Sequence, residues 1–252
     1  MFSNDMKAKA KLATETGKVN GGYFMADTPK YSISPLGESA LTITFGDAIS
    51  TDISDLVTSL AEQIENRPFT GFVESVPGYS SLTVFFDVDK AKSRFRTSLT
   101  GFEIVKSLTE IEIQNLDDKP MQVAKTHDIP VSFDSTIAPD LDYVASINGI
   151  SPKEVIEIFV SEAYRVYMLG FLPGFPYMGK LNKKIAAPRK KSPRTKIAKG
   201  SVGIAGRQTG IYPLESPGGW QIIGRTKAEL FSPDAETTVL LRAGDLVRFY
   251  RE

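Results

Sequence analysis

Two hydrophobic periods alternate along the chain from Tyr31 onward. The runs YSISPL and ALTITFG carry the two-residue alternation of strands and are joined near Gly37. Between Asp52 and Glu65 the apolar residues Ile53, Leu56, Val57, Leu60, Ala61 and Ile64 recur at helical spacing, which predicts an amphipathic helix. GFVESVPGYSSLTVFFD predicts two more strands around a Pro77-Gly78 turn. A second helix is expected from Phe95 to Ile113, interrupted at Gly101, and MQVAKTHDIPVSF then reads as a strand. Two hairpins with two helices on one side describe a small α+β sandwich of ferredoxin-like type.

The pattern changes in the second half. Pro139 to Asn148 predicts a helix closed by Gly149. Ser151-Pro152-Lys153-Glu154 has the form of a capping box with proline at the first helical position, so another helix should run to about Ser161. After Tyr164 only short apolar runs remain, separated by Pro188, Pro193, Pro213 and Pro217. The end, TTVLLRAGDLVRFYRE, predicts two strands around an Ala-Gly-Asp turn. A β-barrel or sandwich accounts for this half. The expected organisation is a mobile polar leader (1–30), an α+β domain (31–125) and a β-barrel domain (126–252).

Composition narrows the chemistry. The chain has 252 residues, no cysteine and a single histidine, His127. Thiolate nucleophiles and poly-His or Cys-ligated metal sites are therefore excluded, so no metal is expected. His127 stands alone in an expected strand and is assigned a structural role. The N-terminus has no apolar run of signal-peptide length. The most apolar stretch, VYMLGFLPGFPYMG, is too short to span a bilayer and is broken by Pro173 and Pro176. A cytoplasmic protein without membrane partners is expected.

The 30 basic and 30 acidic residues cancel, but they are unevenly placed. From Ala163 to Leu214 there is no acidic residue, while Arg165, Lys180, Lys183, Lys184, Arg189, Lys190, Lys191, Arg194, Lys196, Lys199 and Arg207 all fall there. Charge alone supports two readings equally: a site for a carboxylate or phosphate, or a basic loop that docks on an acidic surface. The neutral total and the scarcity of interleaved aromatics argue against nucleic acid. No Walker motif, G-x-S-x-G or strand-borne G-x-G-x-x-G occurs.

Within the basic window the candidate residues are few. Phe171, Phe175 and Tyr177 flank Pro173-Gly174, and aromatics on a Pro/Gly loop should line a pocket or an interface. Pro188-Arg189 and Pro193-Arg194 repeat a stiffened Pro-Arg pair, so two guanidiniums could hold one anion. Gln208, Thr209 and Tyr212 are neutral hydrogen-bonding groups near a glycine turn. They suit orientation of an amide or carboxylate and make poor general bases. Trp220 follows Pro217-Gly218-Gly219, where it is either core or a ligand-stacking wall.

GFLPGFPY, then PRKKSPR, GSVGIAGRQTGIYP and PGGWQIIGRT occur in that order. With GDAIS, GFVESVPGYSSLTVFFD and APDLDYVASINGIS, they make the chain resemble, from Tyr31 to the C-terminus, the family of B-type 5-oxoprolinase subunits (carboxyltransferase subdomains C and D). That family includes the sporulation-kinase inhibitor KipI, and its members also carry the name allophanate hydrolase subunit 1. A related module occurs in urea carboxylase, although no biotin-lysine motif such as Met-Lys-Met is present here. The resemblance implies an N-terminal α+β domain followed by a cyclophilin-like barrel. It also implies a role in ATP-dependent hydrolysis of 5-oxoproline to L-glutamate. Two partner subunits are implied, a carboxyltransferase-like one of C type and a YcsF/LamB-like one of A type. The alternative it carries is a regulatory protein that inhibits a histidine kinase. The residues it points to are Arg189 and Arg194 for an anion, Gln208 and Thr209 for orientation, Tyr212 and Trp220 as walls, and Ser201, Phe171, Pro173, Gly174, Phe175, Tyr177, Gly218 and Gly219 around them. Family members often have a histidine where this chain has Phe159.

Overall fold

A computed structural model describes residues 30–47, 50–95, 97–116, 124–235 and 237–252. The expected leader (1–30) lies outside them except for Lys30, as does the start of the MQVAKTHDIPVSF run. The chain divides into two compact units, Met1–Met121 and Gln122–Glu252.

In the first unit, β1 (Ser32–Pro35) and β2 (Ala40–Thr44) form one hairpin, and β3 (Phe72–Pro77) and β4 (Ser81–Phe86) form another. The sheet order is β1-β2-β4-β3, antiparallel throughout. Gly37, with φ +66°, makes the first turn. The helix α1 (Thr51–Asn66) lies between the hairpins, and α2 (Val88–Ser93) and α3 (Gly101–Gln114) follow them. Leu41, Ile43, Leu82, Val84 and Phe86 project from one sheet face onto Val57, Leu60 and Ile64 of α1 and Val105 of α3. Gln63 of α1 donates its amide to the carbonyl and carboxylate of Glu112 on α3, at 2.9 and 2.7 Å.

Two expectations for this unit change. The described elements run ββαββαα, whereas a ferredoxin-like sandwich runs βαββαβ with helices bridging parallel strands. Here short turns join β1 to β2 and β3 to β4, and the two hairpins meet through the antiparallel β2–β4 ladder, so no strands pair in parallel in this sheet. The helix expected from Phe95 instead begins at Gly101. Thr100 caps it, accepting the Glu103 N–H at 3.2 Å while the Glu103 carboxylate accepts the Thr100 N–H at 2.7 Å. Gly101 therefore opens the helix rather than interrupting it. It does so where an added Cβ would sit 3.0 Å from Val88.

The second unit is built on a nearly closed, barrel-like sheet of seven strands. Its order is β12-β9-β10-β7-β6-β13-β5, comprising β5 (Thr126–Val131), β6 (Ala163–Leu169), β7 (Pro176–Gly179), β9 (Ser201–Ala205), β10 (Gln208–Ile211), β12 (Gln221–Arg225) and β13 (Leu246–Arg251). Reciprocal bonds between Ser132 and Arg225, both 2.9 Å, draw the two edges together. A separate ribbon pairs β8 (Arg194–Ile197) with β11 (Ser216–Gly218).

The helix α4 (Leu141–Asn148) ends as expected but begins after Asp140 rather than at Pro139, and α5 (Pro152–Val160) begins and ends as expected. Gly149 closes α4 in the left-handed region, and Ser151 and Glu154 form the capping box of α5. Val144, Val155 and Phe159 from these helices join Val131, Val166, Ile204 and Phe249 from the strands in one core. The expected C-terminal hairpin is absent. Only Leu246–Arg251 forms a strand, and it pairs parallel with β5 and antiparallel with β6. Val239 makes a single bridge to Phe231 instead. Among the described residues no helix is long and apolar enough to cross a membrane.

Candidate functional site

The loop after β6 and strands β7, β8, β10, β11 and β12 bring five aromatic rings together. Phe175 is 1% exposed and forms the centre. Its ring centroid lies 4.8 Å from Tyr177, 5.2 Å from Tyr212, 5.5 Å from Trp220 and 5.7 Å from Phe171. Two glycines make this packing possible. A Cβ on Gly210 would meet the Phe175 ring at 2.9 Å, and one on Gly218 would collide with the Tyr212 phenol oxygen and Ile197. Gly218→Ala is accordingly expected to cost about 1–3 kcal/mol by overpacking. Its expected signature is a lowered thermal midpoint with a shift in Trp220 emission; a Gly218→Ala protein with parental melting and emission would contradict this packing.

Both tyrosines of the cluster are proton donors at neutral pH. Burial pushes the Tyr212 phenol up to about 12, against the opposing effect of the Trp220 backbone N–H that hydrogen-bonds it. Burial also raises Tyr177, opposed by the Arg189 charge. Arg189 is exposed, with its guanidinium carbon 5.8 Å from the Trp220 ring centroid. Such a cation–π contact contributes about 0.5–1 kcal/mol at an exposed position and leaves the N–H groups available. Phe171 is the outermost ring. It is 61% exposed and has φ +65°, a backbone conformation that costs a non-glycine residue about 1–3 kcal/mol.

Arg194 corrects the expectation of two free guanidiniums. It makes a bidentate pair with Asp140, Nη1 to Oδ2 at 2.8 Å and Nη2 to Oδ1 at 2.7 Å. Lys190 Nζ adds a bond to Oδ1 at 3.2 Å, and the Ile222 N–H donates to Oδ2 at 2.7 Å. The Asp140 N–H in turn donates to the Ile222 carbonyl at 3.0 Å. Asp140 precedes α4 yet makes no side-chain cap bond, because its carboxylate faces the basic loop instead. Burial would push this carboxyl up, but Arg194, the Ile222 N–H and Lys190 outweigh burial and hold it below the usual carboxylate range. The paired carboxylate raises the Arg194 pKa further. Arg194 thus anchors the Pro188–Arg194 loop, and Arg189 is the guanidinium this loop leaves without a carboxylate partner among the described residues.

The remaining candidates divide between the cluster and the barrel wall. Gly219 accepts the Lys190 N–H at 2.7 Å, tying the loop to the turn before Trp220. Pro173 is exposed, and Gly174 is buried with φ +76° in the turn that leads into Phe175. Ser201 is buried in β9, where its carbonyl accepts the Tyr212 N–H at 2.9 Å. The Thr209 hydroxyl, fully buried, donates to the Gly203 carbonyl at 3.0 Å. This corrects the expectation that Thr209 orients a ligand: it braces β9 against β10. Gln208 is half-buried at the start of β10, opposite Ala205.

His127, on β5, hydrogen-bonds Asp245 at 3.0 Å, and Asp245 also accepts the Arg242 N–H at 2.9 Å to close the turn before β13. Phe159 lies in the other core of this unit, away from the aromatic cluster. Sequence reasoning missed the clamp that Asp140 and Lys190 help to form. The available signal was the acid-free window itself, since cations folded against a barrel need a carboxylate from elsewhere. Chemically, the site offers aromatic faces, one guanidinium without a carboxylate partner among the described residues and protonated phenols. It offers no group poised to take a proton from water.

Comparison with known proteins agrees with this architecture. The model of the family described as "Carboxyltransferase domain, subdomain C and D" matches residues 31–241. The chain is 46% identical over 225 residues to the B-type 5-oxoprolinase subunit of Bacillus subtilis (strain 168), covering 89% of this chain and 94% of the relative. It is 36% identical over 214 residues to the B-type 5-oxoprolinase subunit of Escherichia coli O157:H7, covering 85% and 93%. The crystal structure of TTHA0988 superposes with a TM-score of 0.72 at 34% identity, over 84% of this chain and 40% of that larger chain.

Proposed function

The chain belongs to the carboxyltransferase domain family, subdomains C and D, and from that premise we propose that it works as the B-type member of a multi-subunit 5-oxoprolinase. Its relatives of nearly equal length carry that name. The proposed reaction of the assembled complex is ATP-dependent hydrolysis of 5-oxoproline to L-glutamate. A five-membered lactam is a stable amide, and coupling to ATP supplies the driving force for opening it. ATP is a co-substrate of the complex in this reading.

The observation that carries the reading at this chain's own level is Arg189, held over Trp220 beside protonated Tyr177 and Tyr212. Substrate carboxylate and phosphate are both anions. Either is suited to a guanidinium whose neighbours are aromatic faces and hydrogen-bond donors. The site lacks a general base, so this chain binds and orients, and the proton acceptor for water belongs to one of the other subunits.

The deciding experiment is 5-oxoproline-dependent ATP hydrolysis with this chain and the A- and C-type subunits together, then with this chain left out. Activity that requires this chain supports the reading; activity unchanged by its omission removes it. Within the complex, Arg189→Ala is expected to lower kcat/KM about ten- to a hundredfold, the loss of one charge-assisted contact worth about 1.5–3 kcal/mol. Retention of full kcat/KM would take the anion away from Arg189.

A further inference from the structure

Arg189 stands between Pro188 and Lys190, and the peptide planes on both sides of it are pinned. Gln221, on β12, donates from Nε2 to the Pro188 carbonyl at 2.8 Å, which fixes the plane leading into Arg189. The Lys190 N–H donates to the Gly219 carbonyl at 2.7 Å, which fixes the plane leading out. The two partners, Gly219 and Gln221, are the chain neighbours of Trp220, and Arg189 lies over the Trp220 ring at 5.8 Å. Arg189 and Trp220 are thus held in register from both sides. Only the torsions of the arginine side chain are left to order around an anion.

Stability gives no reason for an amide at position 221. Gln221 is 2% exposed, and its Oε1 is buried without a hydrogen-bond partner among the described residues. A buried acceptor left unpaired costs about as much as the bond at the other end of the amide contributes, and an apolar side chain of the same length carries no such cost. The Asp140 clamp is also seated on β12, through Ile222, but it acts at Lys190 and Arg194. Gln221 acts at Pro188, on the other side of Arg189. The Gly219 pin uses a backbone carbonyl that any residue would supply. The Pro188 pin exists only because the side chain at 221 is a donor long enough to reach it.

We infer that Gln221 is a positioning residue of the anion site: it holds Pro188 so that Arg189 stands over Trp220, ready for a carboxylate or phosphate oxygen. It acts through Arg189 and, being buried, touches no ligand itself. The consequence for turnover rests on the 5-oxoprolinase reading; the consequence for the Arg189–Trp220 contact does not.

Gln221→Met keeps the length of the side chain and removes both the donor and the unpaired acceptor. Its thermal midpoint is expected to match the parent's. In the complex with the A- and C-type 5-oxoprolinase subunits, it is expected to raise KM about three- to tenfold, the worth of one neutral hydrogen bond, with a smaller change in kcat. The substrate affected, 5-oxoproline or ATP, should be the one whose KM Arg189→Ala raises. Combined with Arg189→Ala, Gln221→Met should add nothing, because no guanidinium is left to position. In this chain by itself, Gln221→Met should move Trp220 emission toward the Arg189→Ala value and leave it there in the double variant. A lowered midpoint, a loss confined to kcat, or a loss of equal size on top of Arg189→Ala overturns the positioning role. An inactive parental complex overturns the 5-oxoprolinase reading. Additive emission shifts overturn the positioning role whether or not the complex turns over.

Discussion

Asp140→Ala is expected to destabilise the second unit by about 3–5 kcal/mol, the cost of breaking a buried ion pair by removing one partner. The carboxylate side chain is 5% exposed and receives Arg194 at both oxygens, Lys190 at one and the Ile222 N–H at the other. Its removal strands one guanidinium, one ammonium and one backbone donor in a partly buried loop. Asp140→Asn preserves shape but loses the charge and should fall between parent and alanine. Urea unfolding followed by fluorescence is a direct measurement, because Trp220 is the only tryptophan and belongs to this unit. A midpoint within experimental error of the parent would refute the clamp.

The same residue sets an acid limit. The carboxyl titrates below its usual range in the folded protein, so it binds a proton more readily when unfolded. The stability it contributes is fully present above the unfolded carboxylate range of about 4 and is lost as pH falls through the lower folded value. The parent should therefore lose stability below about pH 4 more steeply than Asp140→Asn, as urea midpoints measured between neutral pH and about pH 3 would show.

Phe159→Ala should cost a further large amount, about 3–5 kcal/mol, the range for deleting a buried aromatic. Phe159 is fully buried and stacks on Phe249 at 4.8 Å and on Tyr164 at 5.2 Å, with Phe133 edge-on at 6.2 Å. Its carbonyl accepts the Tyr164 hydroxyl at 2.8 Å, which ties the last turn of α5 to β6. An imidazole at this place would sit among three aromatic rings whose one polar group, the Tyr164 hydroxyl, already donates to the Phe159 carbonyl, so the apolar ring of phenylalanine suits this chain. Phe159→Leu keeps most of the volume and should lose less. Because the aromatic cluster is a separate core, Trp220 emission in the folded Phe159→Ala protein should match the parent. A parental melting temperature for Phe159→Ala would refute the stacking account.

Several features are legible without coordinates because they are local. The spacing from Ile53 to Ile64 defines one helix face, and Ser151, Pro152 and Glu154 satisfy a helix terminus through atoms at most three residues apart. Gly149 closes α4 because only a residue tolerant of positive φ ends a helix that way. The aromatic and Pro-Arg motifs that form the cluster are also recognisable, since they lie within one basic stretch of sequence. The missing C-terminal hairpin has a different cause. The pairing of β13 with β5 joins residues 120 positions apart, and no local pattern separates that arrangement from a terminal hairpin.

The helices and their caps, the acid-free basic window and the small set of aromatic and arginine residues of the candidate site all follow from the order of residues. Which arginine is available follows only from the folded chain. Arg189 and Arg194 stand in equivalent Pro-Arg pairs, but Asp140 arrives from the turn before α4 and takes Arg194. Ring packing then places Arg189 over Trp220. A hydrogen bond or ion pair depends on where atoms meet in space, and the 54 positions between Asp140 and Arg194 leave no trace of that meeting in the local order of residues.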